Sequence, residues 1–162
     1  MKVILYPIFL FLAMMSAEAR TMQGKVTRVI DGNTLEFLSS DGESYTILLS
    51  GIDCPELKQA YGDEARICLQ KLTLNKKASV TINGKDRSGT SLAEVLIDGK
   101  TDPRIQLLKE GLAWTTEKNA DSTLETHRAA SQSKKKGLWK DENPTPPWTY
   151  RHQQSMLEAK SS

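Results

Sequence analysis

Residues 23–49 read QGKVTRVIDGNTLEFLSSDGESYTILL. Segment 23–30 alternates weakly and carries the β-branched residues Val26, Thr27, Val29 and Ile30, and Asp31-Gly32 then marks a tight turn. A second strand is expected over 34–38, a second turn at Asp41-Gly42 and a third strand over 45–49. Three strands on short turns make a meander. In the third, Tyr45, Ile47 and Leu49 share one face, and Thr46, Leu48 and Ser50 the other.

Downstream, residues 61–74 read as a helix, with Ala65, Leu69 and Leu72 at three- and four-residue spacing and Asp63 and Glu64 in the first turn, where the helix dipole favours acids. Strands are expected over 78–82 and 92–97, joined by the polar, glycine-containing loop 83–91. A short helix over 103–110 starts at Pro103 and stops at Gly111. A last helix over 122–136 ends in three lysines, which suit its C-terminal dipole better than they argue for a binding patch. The order βββ-α-ββ-α-α predicts an α+β fold: a five-stranded barrel of the oligonucleotide/oligosaccharide-binding (OB) type with three packed helices. Such a fold does not by itself assign a function.

The ends of the chain read differently. Lys2, an apolar run over 3–15 and Ala17-Glu18-Ala19 describe a secretory signal peptide over 1–19, too short to span a bilayer, for which about 20 apolar residues are needed. An uncleaved anchor is the alternative, and either one places the domain outside the cytoplasm, in a periplasm or the medium. The barrel domain is expected over 20–142. A proline-containing tail follows over 143–162, with Trp148 and Tyr150 placed to pin it and its last ten or so residues expected to be disordered.

The net charge of the full chain is +2, too mild to argue for nucleic acid without a clustered basic face. The only two cysteines are Cys54 and Cys68. In an exported protein they favour one disulfide over two small buried thiols.

The chemistry-bearing stretch is Gly51-Ile52-Asp53-Cys54-Pro55-Glu56. Pro55 keeps Cys54 extended, so Asp53 and Glu56 project from a strand end into a loop, a common place for catalytic groups. His127 and His152 have no metal-ligand spacing, and Trp114 is expected to pack rather than to stack on a base.

Together, Val29-Ile30-Asp31-Gly32-Asn33-Thr34, Leu49 to Glu56, Tyr61-Gly62 with Glu64-Ala65, Asp86 with Gly89, Glu110-Gly111-Leu112-Ala113 and Gly137-Leu138-Trp139 resemble the staphylococcal nuclease (thermonuclease-like) family. The Pro147-Trp148 tail with Arg151 is similar to that of exported relatives. The resemblance implies the same barrel and a Ca²⁺-dependent phosphodiesterase acting on single-stranded DNA and RNA. In that chemistry two aspartates and a backbone carbonyl hold the cation, a glutamate activates water, and two arginines clamp the phosphate.

Carried over residue by residue, Asp53 and the Cys54 carbonyl match metal ligands, and Glu56 matches the base. Asn33 falls on the other metal aspartate, and Leu48 and Thr90 fall on the two arginines. Ca²⁺ is therefore expected to bind weakly or not at all. The implied function is a non-catalytic domain that binds single-stranded nucleic acid or a protein partner. The alternative is a weak Ca²⁺-dependent nuclease using Arg87 or Lys85 as a replacement cation. An apolar Leu48 on this face would also suit an uncharged ligand.

Overall fold

The computed structural model describes residues 20–116 and 121–161. The expected signal peptide lies outside the described residues. The meander forms as β1 (Arg20–Val29), β2 (Thr34–Ser39) and β3 (Ser44–Leu49). A two-residue strand β4 (Ile52–Asp53) follows, then α1 (Gly62–Thr73), β5 (Lys77–Lys85) and β6 (Ser91–Ile97). The chain continues through α2 (Pro103–Lys109), the short β7 (Trp114–Thr115), α3 (Ser122–Ser133), a 3₁₀ turn (Gly137–Lys140) and α4 (Pro147–Ser161).

The five long strands close into a barrel in the order β1-β2-β3-β6-β5. Four of its ladders are antiparallel; the closing one, β3 on β6, is parallel over Ile47↔Ser91, Leu48↔Leu92 and Leu49↔Ala93. This is the OB-type barrel that the sequence predicts, and the expected faces hold: Ile47 and Leu49 are fully buried, while Leu48 is half-buried on the outside.

Alternation along the strands fills the barrel with Val26, Leu35, Phe37, Ile47, Leu49, Val80 and Val95, none of them exposed to solvent. A Cβ on Gly24 would stand 2.6 Å from the Phe37 ring and 2.2 Å from the Leu38 carbonyl oxygen. The glycine makes room for the largest fully buried side chain. Outside the barrel, α1 turns Ala65, Leu69 and Thr73 inward, and the buried Thr73 hydroxyl is paired by donating to the Leu69 carbonyl at 2.8 Å. Asp102 and Asp121 cap α2 and α3, accepting from the amides of Arg104 at 2.9 Å and Thr123 at 2.7 Å.

Two expectations are corrected. Among the described residues there are four α-helices where three were expected, because the tail that reads as polar and partly disordered is α4 as far as Ser161. Cys54 and Cys68 are free thiols rather than a disulfide. The Cys54 thiol is buried and lies 3.2 Å from the Gly32 carbonyl oxygen, to which it donates. Among the described residues no helix is long and apolar enough to cross a membrane.

Candidate active site

β4 and β7 pair antiparallel, Ile52↔Thr115 and Asp53↔Trp114. This short clamp holds Asp53 just beyond the end of β3, where it lines a cleft. Gly32 lets the β1–β2 turn close against it: a Cβ there would meet Cys54 Cβ at 2.6 Å and Ala65 Cβ at 2.7 Å. The turn is an Asx turn, with the Asn33 amide donating to Asp31 Oδ1 at 3.0 Å. Asn33, 9 % exposed, also gives its carbonyl to the Leu49 amide at 2.8 Å, so the β1–β2 turn is tied to the end of β3.

Glu56 is fixed through its backbone. Its amide donates to Gln59 Oε1 at 3.2 Å, and its carbonyl accepts from the Gln59 amide at 2.8 Å. Gly62, at the start of α1, packs directly under it; a Cβ there would lie 2.0 Å from the Glu56 oxygen.

These elements line a cleft of about 570 Å³ that gathers Asp31, Asn33, Leu48, Asp53, Cys54, Glu56 and Arg87. Leu48 lies in it between Thr34 and Leu92, its cross-strand neighbours. Arg87 reaches it from the β5–β6 turn and is exposed. Thr90 does not line the cleft. It closes the β5–β6 turn, where its amide donates to Asp86 Oδ1 at 2.8 Å and its hydroxyl pairs with that of Ser88 at 3.0 Å. Those donors hold the Asp86 carboxyl below the usual aspartate range, the Ser88 hydroxyl contributing most.

One more residue enters the cleft, from the opposite end of the chain. Arg151 of α4 forks onto Asp53, Nη2 to Oδ2 at 2.8 Å and Nη1 to Oδ1 at 3.2 Å, and Nη1 also donates to Glu56 Oε1 at 2.8 Å. Burial pushes the Asp53 carboxyl up, with the Glu56 and Asp31 carboxylates adding to it, while the Arg151 hydrogen bonds and charge pull it back. The two carboxylates, Asp53 foremost, hold the guanidinium well above its ordinary value. The bidentate geometry is that of an ionised pair.

Three contacts seat α4 there. Trp148 packs edge-on against Trp114, with ring centroids 5.7 Å apart. The Tyr150 hydroxyl donates to the Lys58 carbonyl at 3.3 Å, and Gln59 Nε2 to the Thr145 carbonyl at 2.6 Å. Trp114 in turn meets Trp139 at 4.4 Å, so it packs, as its place in the sequence suggests.

A Ca²⁺ ion does not fit this donor set as it stands. It calls for six to eight oxygens, several of them anionic. Here both oxygens of Asp53 and one of Glu56 are engaged by Arg151, and Asn33 offers a neutral amide. Among the described residues no three His, Cys, Asp or Glu side chains form a set that could hold a metal ion.

The family model described as staphylococcal nuclease homologue matches residues 46–141. The chain belongs to the staphylococcal nuclease family. It is similar to an uncharacterized endonuclease of Escherichia coli O157:H7, 33 % identical over 147 residues that cover 90 % of this chain and 95 % of the relative. It is 30 % identical over 157 residues to an uncharacterized endonuclease of Haemophilus influenzae, covering 96 % and 88 % of the two chains. A micrococcal nuclease of Shigella flexneri is 30 % identical over 140 residues, 80 % of each chain.

Within this nuclease family the matched segment ends before α4. Arg151 therefore lies outside the part whose roles carry over by motif. Its signal in the sequence is Pro147 followed by thirteen residues, 148–160, without glycine or proline, which is the pattern of a helix opening on proline.

Proposed function

We propose that this chain keeps the nuclease fold but acts by binding rather than by hydrolysis. The observation that carries the reading is Arg151: the guanidinium that meets the acids is forked onto Asp53 and Glu56 instead of being directed at a phosphate. Positions 48 and 90, which the family resemblance assigns to phosphate-clamping arginines, hold leucine and threonine. Removing donors of that kind lowers rates by about 10²–10⁵. Four carboxylates line the cleft (Asp31, Asp53, Glu56 and Asp86) against two guanidiniums, Arg87 and Arg151. In this arrangement a phosphodiester is not drawn in.

The partner class that the family favours is single-stranded nucleic acid. A second reading, a weak Ca²⁺-dependent phosphodiesterase, is favoured by one observation: two arginines, Arg87 and Arg151, line the cleft although both arginine positions of the family are lost. The relatives named endonucleases point the same way.

One pair of experiments separates the readings. Denatured DNA is incubated with excess protein and Ca²⁺, with and without chelator, alongside Glu56→Gln. The binding reading expects no cleavage above buffer; cleavage that disappears with chelator and in Glu56→Gln would overturn it. A single-stranded oligonucleotide titration at two salt concentrations then tests the partner, since affinity for phosphates falls steeply as salt rises. Binding that ignores salt would remove nucleic acid as the partner.

A further inference from the structure

We propose that the hollow between the ends of α2 and α3 is a phosphate-binding site, where Lys109, Lys134 and Lys136 hold the backbone of a single strand of nucleic acid. The inference rests on the nucleic-acid reading above and says where such a strand lies. The acidic cleft sets four carboxylates against two guanidiniums, so the strand needs its positive charge from another face. The hollow, about 280 Å³, is lined by those three lysines with His127 and the buried Ser131, and Glu110 is the single carboxylate in its lining. It shares no residue with the cleft.

Local structure places these lysines. α3 ends at Ser133 without a basic residue in its last turn, so the lysine run stands on the turn that follows. That turn closes as a Schellman motif: the Lys136 amide donates to the Ser131 carbonyl and the Lys135 amide to the Gln132 carbonyl, each at 3.0 Å. Lys135 takes the left-handed position, φ 49°, that glycine fills most readily. The chain keeps a lysine where the backbone alone favours glycine. The turn is then locked to the end of α2. The Leu138 amide donates to the Gly111 carbonyl at 2.9 Å, and a Cβ on Gly137 would lie 2.6 Å from the Glu110 carbonyl oxygen. Lys109 of α2 is thereby brought to the same hollow as Lys134 and Lys136.

Little in the fold neutralises this charge. Lys136 meets Glu110 at 3.7 Å in a pair whose side chains are both nearly half-exposed, and among the described residues Lys109 and Lys134 make no ion pair. Exposed pairs of that kind contribute little. Ammonium groups bind a phosphate as point charges. The volume lies below the roughly 300–1,000 Å³ of small-molecule pockets, which suits one phosphodiester group better than a whole small ligand. No aromatic ring lines the hollow, so no base stacks there and the strand is held without regard to sequence.

The test is a fluorescence-anisotropy titration of a labelled dT homopolymer with the full chain and three variants, at several salt concentrations. The first variant combines Lys109→Gln, Lys134→Gln and Lys136→Gln. It should bind about tenfold more weakly, with a slope of log affinity against log salt shallower by about 2, three contacts at about 0.7 each. The second removes the same charge from Lys25, Lys76 and Lys77, exposed on and beside β1 and β5, and should lose less. The third, Glu110→Gln, should bind severalfold more tightly, a gain that unfolding cannot mimic. Salt-dependent binding that survives in the first variant, falls equally in the second or fails to tighten in the third would overturn the site while leaving nucleic acid as the partner. Absence of salt-dependent binding by the unaltered chain would remove the nucleic-acid reading and the site with it. Poly-L-glutamate bound more tightly than the oligonucleotide, and at the same lysines, would point to an acidic protein and overturn the phosphate assignment.

Discussion

Leu48 stands between Thr34 on one strand and Leu92 on the other, half-buried at the floor of the cleft. An arginine at that position would start from a strand aimed at the acids; one at position 90 would start from a turn whose hydroxyls and amides converge on Asp86. Restoring arginine at Leu48 and Thr90 together with aspartate at Asn33 is expected to raise Ca²⁺-dependent cleavage of denatured DNA by about 10² or more. Gel or fluorogenic assays read this directly, and no gain in a folded triple variant counts against the correspondence of these positions.

Asp86 makes a separate prediction. Its carboxyl is held below the ordinary aspartate value, so its contribution to the turn is fully present above that value and is lost as pH falls through the lowered folded one. Amide exchange at Ser88 and Thr90, corrected for intrinsic rates, should therefore quicken only on acidification below the usual aspartate range. In Asp86→Asn it should be fast at every pH. An identical pH profile in that variant would refute the assignment.

At the scale of elements, the acid loop and α1 are fitted to each other through Gly62. Because a side chain there would run into the Glu56 carbonyl, Gly62→Ala is expected to cost about 1–3 kcal/mol in denaturant unfolding, as overpacking does. A neutral result would mean that the loop is free to move aside.

The elements also differ in how much of them the sequence discloses. β1 to β3 are legible because alternation of period two and the Asp-Gly turns agree. α1 is legible from its apolar spacing and first-turn acids, α2 from Pro103 and Gly111, and α3 from the lysines and Gly137 that follow it. The β4–β7 pair is not, since two residues carry no period. Neither is α4: beyond Arg151 it is exposed all round, so no apolar stripe marks it. The residues Asp53, Glu56 and Asn33 are legible as a group from their motif. Arg151 is not, because its partner Asp53 is 98 positions away and nothing local encodes that pairing. The cysteine pair shows the converse: two cysteines in a chain expected to be exported suggest a bridge, while the Cys54 thiol is turned to the Gly32 carbonyl.

The whole molecule is a barrel core with its charge problem at one rim. Phe37 anchors the core, and Phe37→Ala should cost about 3–5 kcal/mol by thermal or denaturant unfolding. Removing Arg151 should be far milder for the fold, about 1 kcal/mol or less, since its side chain is 49 % exposed and the pair is partly screened. Stability thus resides in the barrel, while the rim carries the acids of the cleft. The acids remain there, and the chain's own last helix provides the positive charge set against them. The most direct test is the guanidinium NMR spectrum of Arg151 at neutral pH. A fork on Asp53 and Glu56 predicts resolved, slowly rotating Nη protons that collapse in Asp53→Asn; a rapidly averaged guanidinium, the same in both proteins, would contradict it.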